Sequence, residues 1–480
     1  MPAAAAGGGS AGGGIDGAGI FLVFITICVF LLPIFLIFPP VAPSQSDAIS
    51  QTHKKVGLRR TGEKSGLKDN GRKKAGIKGL WIYPVKSCKG IEVSESRVLP
   101  SGLEFDRLFT FAQLRGAFPV SVSSSSSSLD NTSGGGEGEK GGKHSWEFVT
   151  QRQFPLLATV SVDLYIPDTT TKPTTTTTTT KVTLNDVDNI KRGGHDDVWI
   201  ILRFPWRGDG LRGVWEWVSA KLRGGRHAVP EKEVLLPVAF PTEGGREEKG
   251  YQYESVKIWR EQVLALNMSA EIPRELSLYL GVSNRLGLFR IDPARLREVY
   301  RCAPDQKEVG YQPVTGFQDA YPLHMLNLSS VRDFETKIQG DDQMKELDPR
   351  RFRANIIIDG VEAYDEESWK RVQFKGDTDT QSVFDVSCRT VRCKMPNVDQ
   401  DSGSRHPVEP DRALRKFRDV DEGAKGKGCL GMQLTPLFDN AGSLGKKGGE
   451  EEEGEELEAW VEVGMEVEVL KRGEHRYIVQ

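Results

Sequence analysis

Phe384 to Gly403 reads FDVSCRTVRCKMPNVDQDSG, two thiols five residues apart among cations. Arg389, Arg392 and Lys394 flank Cys388 and Cys393, and neighbouring positive charge favours thiolate, the form a soft metal needs. Alone, a CxxxxC pair fits buried structural cysteines or a disulfide equally well. The rest of the chain has to decide.

At 480 residues and 38% hydrophobic composition the chain can bury at least one large core, and its length suggests two or three units. A net charge of −3 gives no sign of a nucleic-acid partner, so charge arguments have to be local. The six cysteines (Cys28, Cys88, Cys302, Cys388, Cys393 and Cys429) lack the dense spacing of a secreted disulfide framework and fit a reducing compartment. None of the seven histidines lies four residues from another, which leaves a zinc or di-iron site little support.

Near the N-terminus, Ile20 to Phe38 is apolar apart from Thr26 and Pro33, and no charge falls between Asp16 and Asp47. About 20 such residues span a hydrocarbon core of roughly 30 Å. Pro39-Pro40 follows the run and no Lys or Arg precedes it, so it reads as an uncleaved anchor over residues 17–42, behind a leader of residues 1–16. Residues 43–78 read as a basic linker; the ten Lys/Arg between Lys54 and Lys78 orient the following body toward the cytosol.

Short β-branched and aromatic runs bounded by Pro, Gly and Ser predict strands at Gly79 to Ile82, Leu103 to Ala112, Leu157 to Ile166, Val182 to Leu184, Val256 to Leu264 and Asn355 to Ile358. Helices are expected at Val214 to Leu222, Ile272 to Leu280 and Ser329 to Ile338, the last capped by Ser329 or Ser330. Ser123 to Ser128, Gly134 to Gly136 and Thr169 to Thr180 read as loop insertions, and Glu450 to Glu456 as a solvated loop before AWVEVGMEVEVLKR, whose period-two alternation predicts a closing strand pair. Trp199, Trp206, Trp215 and Trp217 are expected to be packing anchors. The texture is α+β, predominantly β, without a βαβ repeat.

Six segments occur in order: LWIYPVKSCKG (Leu80 to Gly90), GLEFDR (Gly102 to Arg107), FVTQRQFP (Phe148 to Pro155), FQDAYPLHML (Phe317 to Leu326), RFRANIIIDG (Arg351 to Gly360) and RCKMPNVDQDSG (Arg392 to Gly403). This series resembles the MOSC family, and within it the membrane-anchored branch typified by the mitochondrial amidoxime-reducing component. The resemblance implies an N-terminal β-barrel domain, placed at residues 79–290, and a MOSC β-barrel domain at residues 291–480, preceded by one transmembrane helix. It further implies a molybdenum cofactor whose metal is ligated by Cys393, with Cys388 a nearby non-ligand thiol. By motif position, Lys86, Ser87, Arg107, Arg353 and Asn355 match cofactor-contacting residues, with Arg152 and Arg392 as additions. Lys89, Arg351 and Arg389 are expected to make salt bridges or face solvent. The sequence departs from the family at Ala354, often Pro, at Ala320-Tyr321, in place of a hydroxyl pair, and in the five-residue step from Cys388 to Cys393.

The function implied is reduction of small N-hydroxylated or N-oxide compounds at the outer mitochondrial membrane, with electrons from a b-type cytochrome and its NADH-dependent reductase. The alternative is a MOSC protein that binds molybdenum cofactor or carries sulfur without its own reductase activity. No flavin or nicotinamide motif and no desulfurase domain is evident in the chain.

Overall fold

The computed structural model describes residues 17–37, 44–58, 74–116, 144–168, 197–338, 344, 346–376, 380–438 and 457–478. The expected Ser/Gly and Thr-rich insertions, the strand at Val182 to Leu184, the acidic loop and most of the basic linker lie outside them. Two compact units emerge, residues 1–44 with 205–232 and residues 45–204 with 233–480.

In the first unit, the helix Gly17–Ile37 runs 21 residues without a charge. Its window Gly17–Ile34 has mean hydropathy 2.6 and no buried residue, so it is long and apolar enough to cross a membrane. A second helix, Gly210–Gly224, contains the expected segment Val214 to Leu222.

The second unit is mostly strand. Ile356–Asp359, Leu323–Asn327, Cys429–Leu437, Gln381–Val391, Trp369–Lys375, Glu466–Arg472 and Gly76–Ile82 neighbour one another in that order, and Ile356–Asp359 pairs back onto Gly76–Ile82, closing the ring. Leu80 stands opposite Ile356, so the first motif lies beside the fifth despite more than 270 intervening residues. A smaller closed barrel joins Gln252–Ile258, Glu261–Asn267, Leu286–Ile291, Phe109–Arg115 and Ser145–Phe148. Its core follows the strand period, with Val256, Ile258, Val263 and Ala265 buried and Lys257 and Leu264 turned out. Trp146 packs edge-on against Phe289 at 5.1 Å, and a Cβ at Gly287 would come within 2.8 Å of the Trp146 ring, so glycine is required there.

Several expectations need correction. Residues 45–49 are helix, and His53–Lys55 is a strand paired with Ser161–Pro167, its Lys55 bonded to Asp163 at 2.6 Å; this part of the expected linker is folded because it has a sheet edge to join. Leu157 to Ile166 divides into a 3-10 turn at Pro155–Thr159, initiated by proline, and the strand Ser161–Pro167. Val256 to Leu264 is not one strand but a hairpin turning at Trp259 and Arg260. The two strands after the acidic run do not pair with each other. Ala459–Glu462 joins Glu95–Leu99, and Glu466–Arg472 joins Trp369–Lys375, the chain changing sheets at Gly464, whose φ is +107°.

The helix at Leu328–Glu335 is capped by Asn327 rather than by a serine. Asn327 Oδ1 accepts from Ser329 N at 3.0 Å, while its Nδ2 donates to Glu362 O at 2.9 Å and Glu366 Oε2 at 2.8 Å. Ser330 Oγ donates to the other Glu366 oxygen at 2.7 Å, so the expected cap residue is committed to a buried carboxylate. Asn327→Ala strands these groups and is expected to cost about 1–3 kcal/mol in urea denaturation, whereas Ser329→Ala changes stability by less than about 0.5 kcal/mol. Equal losses for the two variants would refute the assignment of the cap.

Candidate functional site

Ser87, Arg107 and Arg353 share an uncommon backbone, with φ of +68°, +51° and +53°. Non-glycine residues in the left-handed region cost on the order of 1–3 kcal/mol each and persist where surrounding contacts fix them. Here Arg107 N donates to Tyr83 O at 2.8 Å, and Arg353 N to Arg350 O at 3.0 Å at the end of the 3-10 turn Pro349–Phe352. Both guanidinium groups rest on the Tyr83 ring, Arg107 at 4.6 Å and Arg353 at 4.2 Å from its centroid. Burial pushes the Tyr83 hydroxyl up to about 12 despite those two charges, and pushes Arg353 down to about 10.

These residues open onto a cavity of about 980 Å³ lined by Cys393 and by Lys86, Ser87, Arg107, Arg152, Arg353, Asn355 and Arg392. All eight residues singled out in the sequence therefore come together. Among the described lining residues, thirteen are Lys or Arg and two, Glu261 and Asp319, are carboxylates. Ser87 Oγ and Arg353 Nη2 are two of five buried side-chain donors in this wall that lack a protein partner, with Tyr321 Oη, Arg351 Nε and Thr390 Oγ1. Buried polar groups are ordinarily bonded, so orphaned donors among surplus cations describe a receptor for an anion.

The eight are not equivalent. Lys86 Nζ donates to Phe317 O and Asp319 Oδ1, both at 2.6 Å; burial pulls its pKa down, partly offset by Asp319. Arg353 Nη1 donates to Cys88 O at 2.7 Å, leaving Nη2 free toward the cavity. Asn355 is a positioning residue: its Oδ1 accepts from Arg107 at 3.1 Å and His324 N at 3.2 Å, and its Nδ2 donates to Trp81 O at 3.1 Å. Arg392 likewise directs Nε to Leu430 O at 2.7 Å, Nη1 to Phe352 O at 3.2 Å and Nη2 to His324 Nε2. Arg152 places its guanidinium carbon 4.2 Å from the centroid of the Trp259 ring.

Cys393 follows the strand Gln381–Val391, half-buried, its sulfur accepting from Met395 N at 3.4 Å. The thiolate expected from its flanking cations needs correction. Burial raises the thiol, offset only in part by Arg152, the Met395 N–H and Arg392. Arg389 instead turns to Asp421 at 3.1 Å and Glu367 at 3.3 Å. The VDQDSG turn that follows winds around Asp399, whose Oδ1 accepts from Ser402 N at 2.9 Å and whose Oδ2 meets Arg351 at 2.8 Å. Gln400 and Gln151 exchange amide hydrogen bonds, and Gln151 donates to Ser87 O at 2.8 Å, tying the third and sixth motifs to the first.

Three further cavity residues escaped the sequence reading. Asp319 fixes Lys86; burial would raise its carboxyl, but Lys86 holds it well below the usual carboxylate range. Trp259 holds a left-handed φ of +57° and donates from Nε1 to Asp319 at 3.2 Å. His324 is buried, and desolvation, Arg392 and Arg107 together drive it well below the ordinary imidazole range. A Cβ at Gly431 would meet His324 Nε2 at 2.5 Å, so the pair packs only against glycine.

Because the folded chain keeps His324 neutral where an unfolded histidine takes up a proton, its contribution to stability is complete above about pH 6.5 and declines as pH falls below that value. The loss is at most about 1.4 kcal/mol per pH unit. Denaturation of His324→Gln between about pH 7 and pH 5 is expected to show a shallower decline than the parent chain. An unchanged slope would overturn this.

Residues 74–197 match the MOSC N-terminal beta barrel domain, and residues 312–468 match the MOSC domain, together more than half of the chain. The rat mitochondrial amidoxime reducing component 2 is 21% identical over 363 residues, 75% of this chain and 77% of that protein. The human mitochondrial amidoxime-reducing component 1 is 22% identical over 371 residues, 76% and 79% of the two chains. Molybdenum cofactor sulfurase of Arabidopsis thaliana is 29% identical over 149 residues, 30% of this chain and 15% of that one. With both domains matched in order around the two closed barrels, the chain belongs to the family of MOSC-domain proteins that carry the N-terminal beta barrel domain.

Proposed function

We propose that this protein is a molybdenum-cofactor-dependent oxidoreductase that reduces N-hydroxylated or N-oxide compounds. The observation that carries the reading is the convergence of the Cys393 thiol with the orphaned donors Ser87 Oγ and Arg353 Nη2 in one cation-lined cavity. The names of the amidoxime-reducing relatives support the reaction class. In this reading residues 79–290 and 291–480 are the two domains, the strand Gly76–Ile82 being lent to the second barrel.

The donor set fits the cofactor. Among the described residues no cluster of three or more His, Cys, Asp or Glu is placed to hold a metal, so a metal at Cys393 depends on ligands brought by the cofactor. Cys393 offers one soft ligand, and Lys86, Ser87, Arg107 and Arg353 offer the cation and hydroxyl donors that a pterin phosphate requires. The volume, about 980 Å³, is at the upper end of ligand pockets and leaves room for a small substrate.

When bound, the cofactor supplies two-electron chemistry: an N–OH group takes up two electrons and two protons and yields N–H and water. The chain's own residues orient and exclude. The Tyr83 ring and Asn355 hold the two arginines, Asp319 holds the Lys86 ammonium, and the Gln151–Gln400 pair fixes the Cys393 turn against Ser87. Arg152, spread on Trp259, faces the cavity and bears on the Cys393 sulfur.

Electrons come, in this reading, from a b-type cytochrome and its NADH-dependent reductase. The helix Gly17–Ile37 anchors the chain in the outer mitochondrial membrane with the body in the cytosol, as the positive-inside rule predicts from the basic stretch after it. A tether beside a membrane-bound donor raises the effective concentration of each for the other.

Cys393→Ser is expected to abolish amidoxime reduction and molybdenum retention, because a serine oxygen is a harder ligand, while Cys388→Ala keeps most of the activity. The reverse pattern would move the ligand to Cys388. Cofactor-loaded protein that reduces no amidoxime, hydroxylamine or N-oxide with any electron source would favour the carrier reading, which the partial match to the sulfurase supports. Removing residues 1–43 is expected to spare activity driven by a chemical reductant and to slow cytochrome-driven turnover on membranes. Equal rates in the second assay would deny the tether a kinetic role.

A further inference from the structure

Away from Cys393, two other thiols meet. Cys302 and Cys388 pack with Tyr321 and Val299 in one small cluster. Cys388 is fully buried in the strand Gln381–Val391, whereas Cys302 is half-buried, with its Sγ 3.7 Å from Arg476 O. The approach of Cys302 is built by the backbone: Ala303 N donates to Tyr300 O at 3.4 Å, and Arg301 inside that turn has a φ of +71°. A left-handed arginine is a costly conformation, and here it delivers one thiol onto another.

We propose that Cys302 and Cys388 form a peroxide-responsive dithiol that closes to a disulfide behind Tyr321 and Tyr477, two residues of the cavity wall. The reaction balances with hydrogen peroxide as the oxidant. Cys302 thiolate attacks one peroxide oxygen, the O–O bond breaks, and with one proton taken up the products are Cys302 sulfenic acid and water. The Cys388 thiol then attacks the sulfenic sulfur, the S–O bond breaks, and the second oxygen leaves as water with the Cys388 proton and one from solvent-exchangeable sulfenic hydroxyl.

The two thiols are suited to different parts of this sequence. Cys302, the more exposed of the two, is drawn below the ordinary thiol range by its neighbour Cys388 against its partial burial, whereas Cys388 is held well above that range. Tyr321, Tyr477 and Asp421 are the other titratable groups that face the pair. Tyr321 and Tyr477 also line the cavity, and Cys388 lies on the strand that runs directly into Arg392 and Cys393. Oxidation of the pair therefore reports on the redox surroundings of the site without consuming Cys393.

The test uses the full-length chain treated with a small excess of hydrogen peroxide, unfolded in denaturant and blocked there with a maleimide, digested without reductant and read by mass spectrometry. A Cys302–Cys388 linked peptide that disappears on treatment with dithiothreitol is expected, with Cys393 still maleimide-labelled. Cys302→Ser is expected to leave Cys388 reduced, and Cys388→Ala to accumulate a dimedone-reactive sulfenic acid on Cys302. The proposal is overturned if both thiols remain maleimide-reactive after peroxide, if either couples instead to Cys393, or if Cys302 goes to sulfinic acid in the parent chain without forming the bridge.

Discussion

Two guanidinium groups on one buried tyrosine ring set the terms for the rest of the site. Arg107 and Arg353 repel each other, and both are largely withdrawn from water. Their burial is tolerable because Asp106, Asn355 and backbone carbonyls accept from both Arg107 Nη atoms and from Arg353 Nη1, and the Tyr83 face supplies a negative potential. What is left over, Arg353 Nη2, has no partner in the protein. An anion in the cavity would complete this arrangement, which the fold holds with a left-handed backbone at both arginines.

Barrel closure is what makes the arrangement possible. The strand Gly76–Ile82 seals the large ring against Ile356–Asp359, which brings Tyr83 and Lys86, just beyond its end, to the turn that carries Arg353. Asn355 N donates to His324 O at 2.8 Å and Trp81 N to Asn355 O at 2.8 Å, so one residue stitches the first, fourth and fifth motifs through backbone hydrogen bonds alone. The first, fourth, fifth and sixth motifs meet because they lie on or just beyond the strands Gly76–Ile82, Leu323–Asn327, Ile356–Asp359 and Gln381–Val391 of the same closed sheet, whereas the second begins in a separate small sheet with Glu95–Leu99 and the third leaves the small barrel at Phe148.

Much of this was legible from the sequence, and what was not has physical causes. Lys86, Ser87, Arg107 and Arg353 were readable because their motifs match those of the MOSC family by position. Asp319 was quoted in its motif and still missed, since its partner Lys86 lies 233 residues away and no local pattern encodes that pairing. Trp259 was hidden for a different reason. It occupies the first position of a two-residue hairpin loop with positive φ, where glycine is usual, so the segment lacked any turn signal and read as one continuous strand. The same absence of glycine makes the Trp259 tip informative, because a bulky residue is kept there by stacking under Arg152 and against Phe148, 5.3 Å away. Asn327 displaced the expected serine cap because only its amide both accepts from the helix and donates to Glu366.

The cations flanking Cys393 in sequence suggested a thiolate made by local charge, and the fold distributes those charges otherwise. Arg389 is spent on Asp421 and Glu367, Arg392 on carbonyls and His324, and the sulfur itself is desolvated enough to favour the thiol. In the proposed function a soft metal at Cys393 would displace a proton, and capture of the cofactor would then be coupled to pH more strongly than with a preformed thiolate. The nearest help comes from Arg152, whose position depends on Trp259, whose indole in turn is bonded to Asp319 and thereby to Lys86. A chain of contacts therefore links the residue that would ligate the metal to the lysine that would face the cofactor's phosphate. The small barrel contributes that link through one tryptophan with a left-handed backbone, which in the proposed function would give this barrel a part in the chemistry of the cavity as well as in its support.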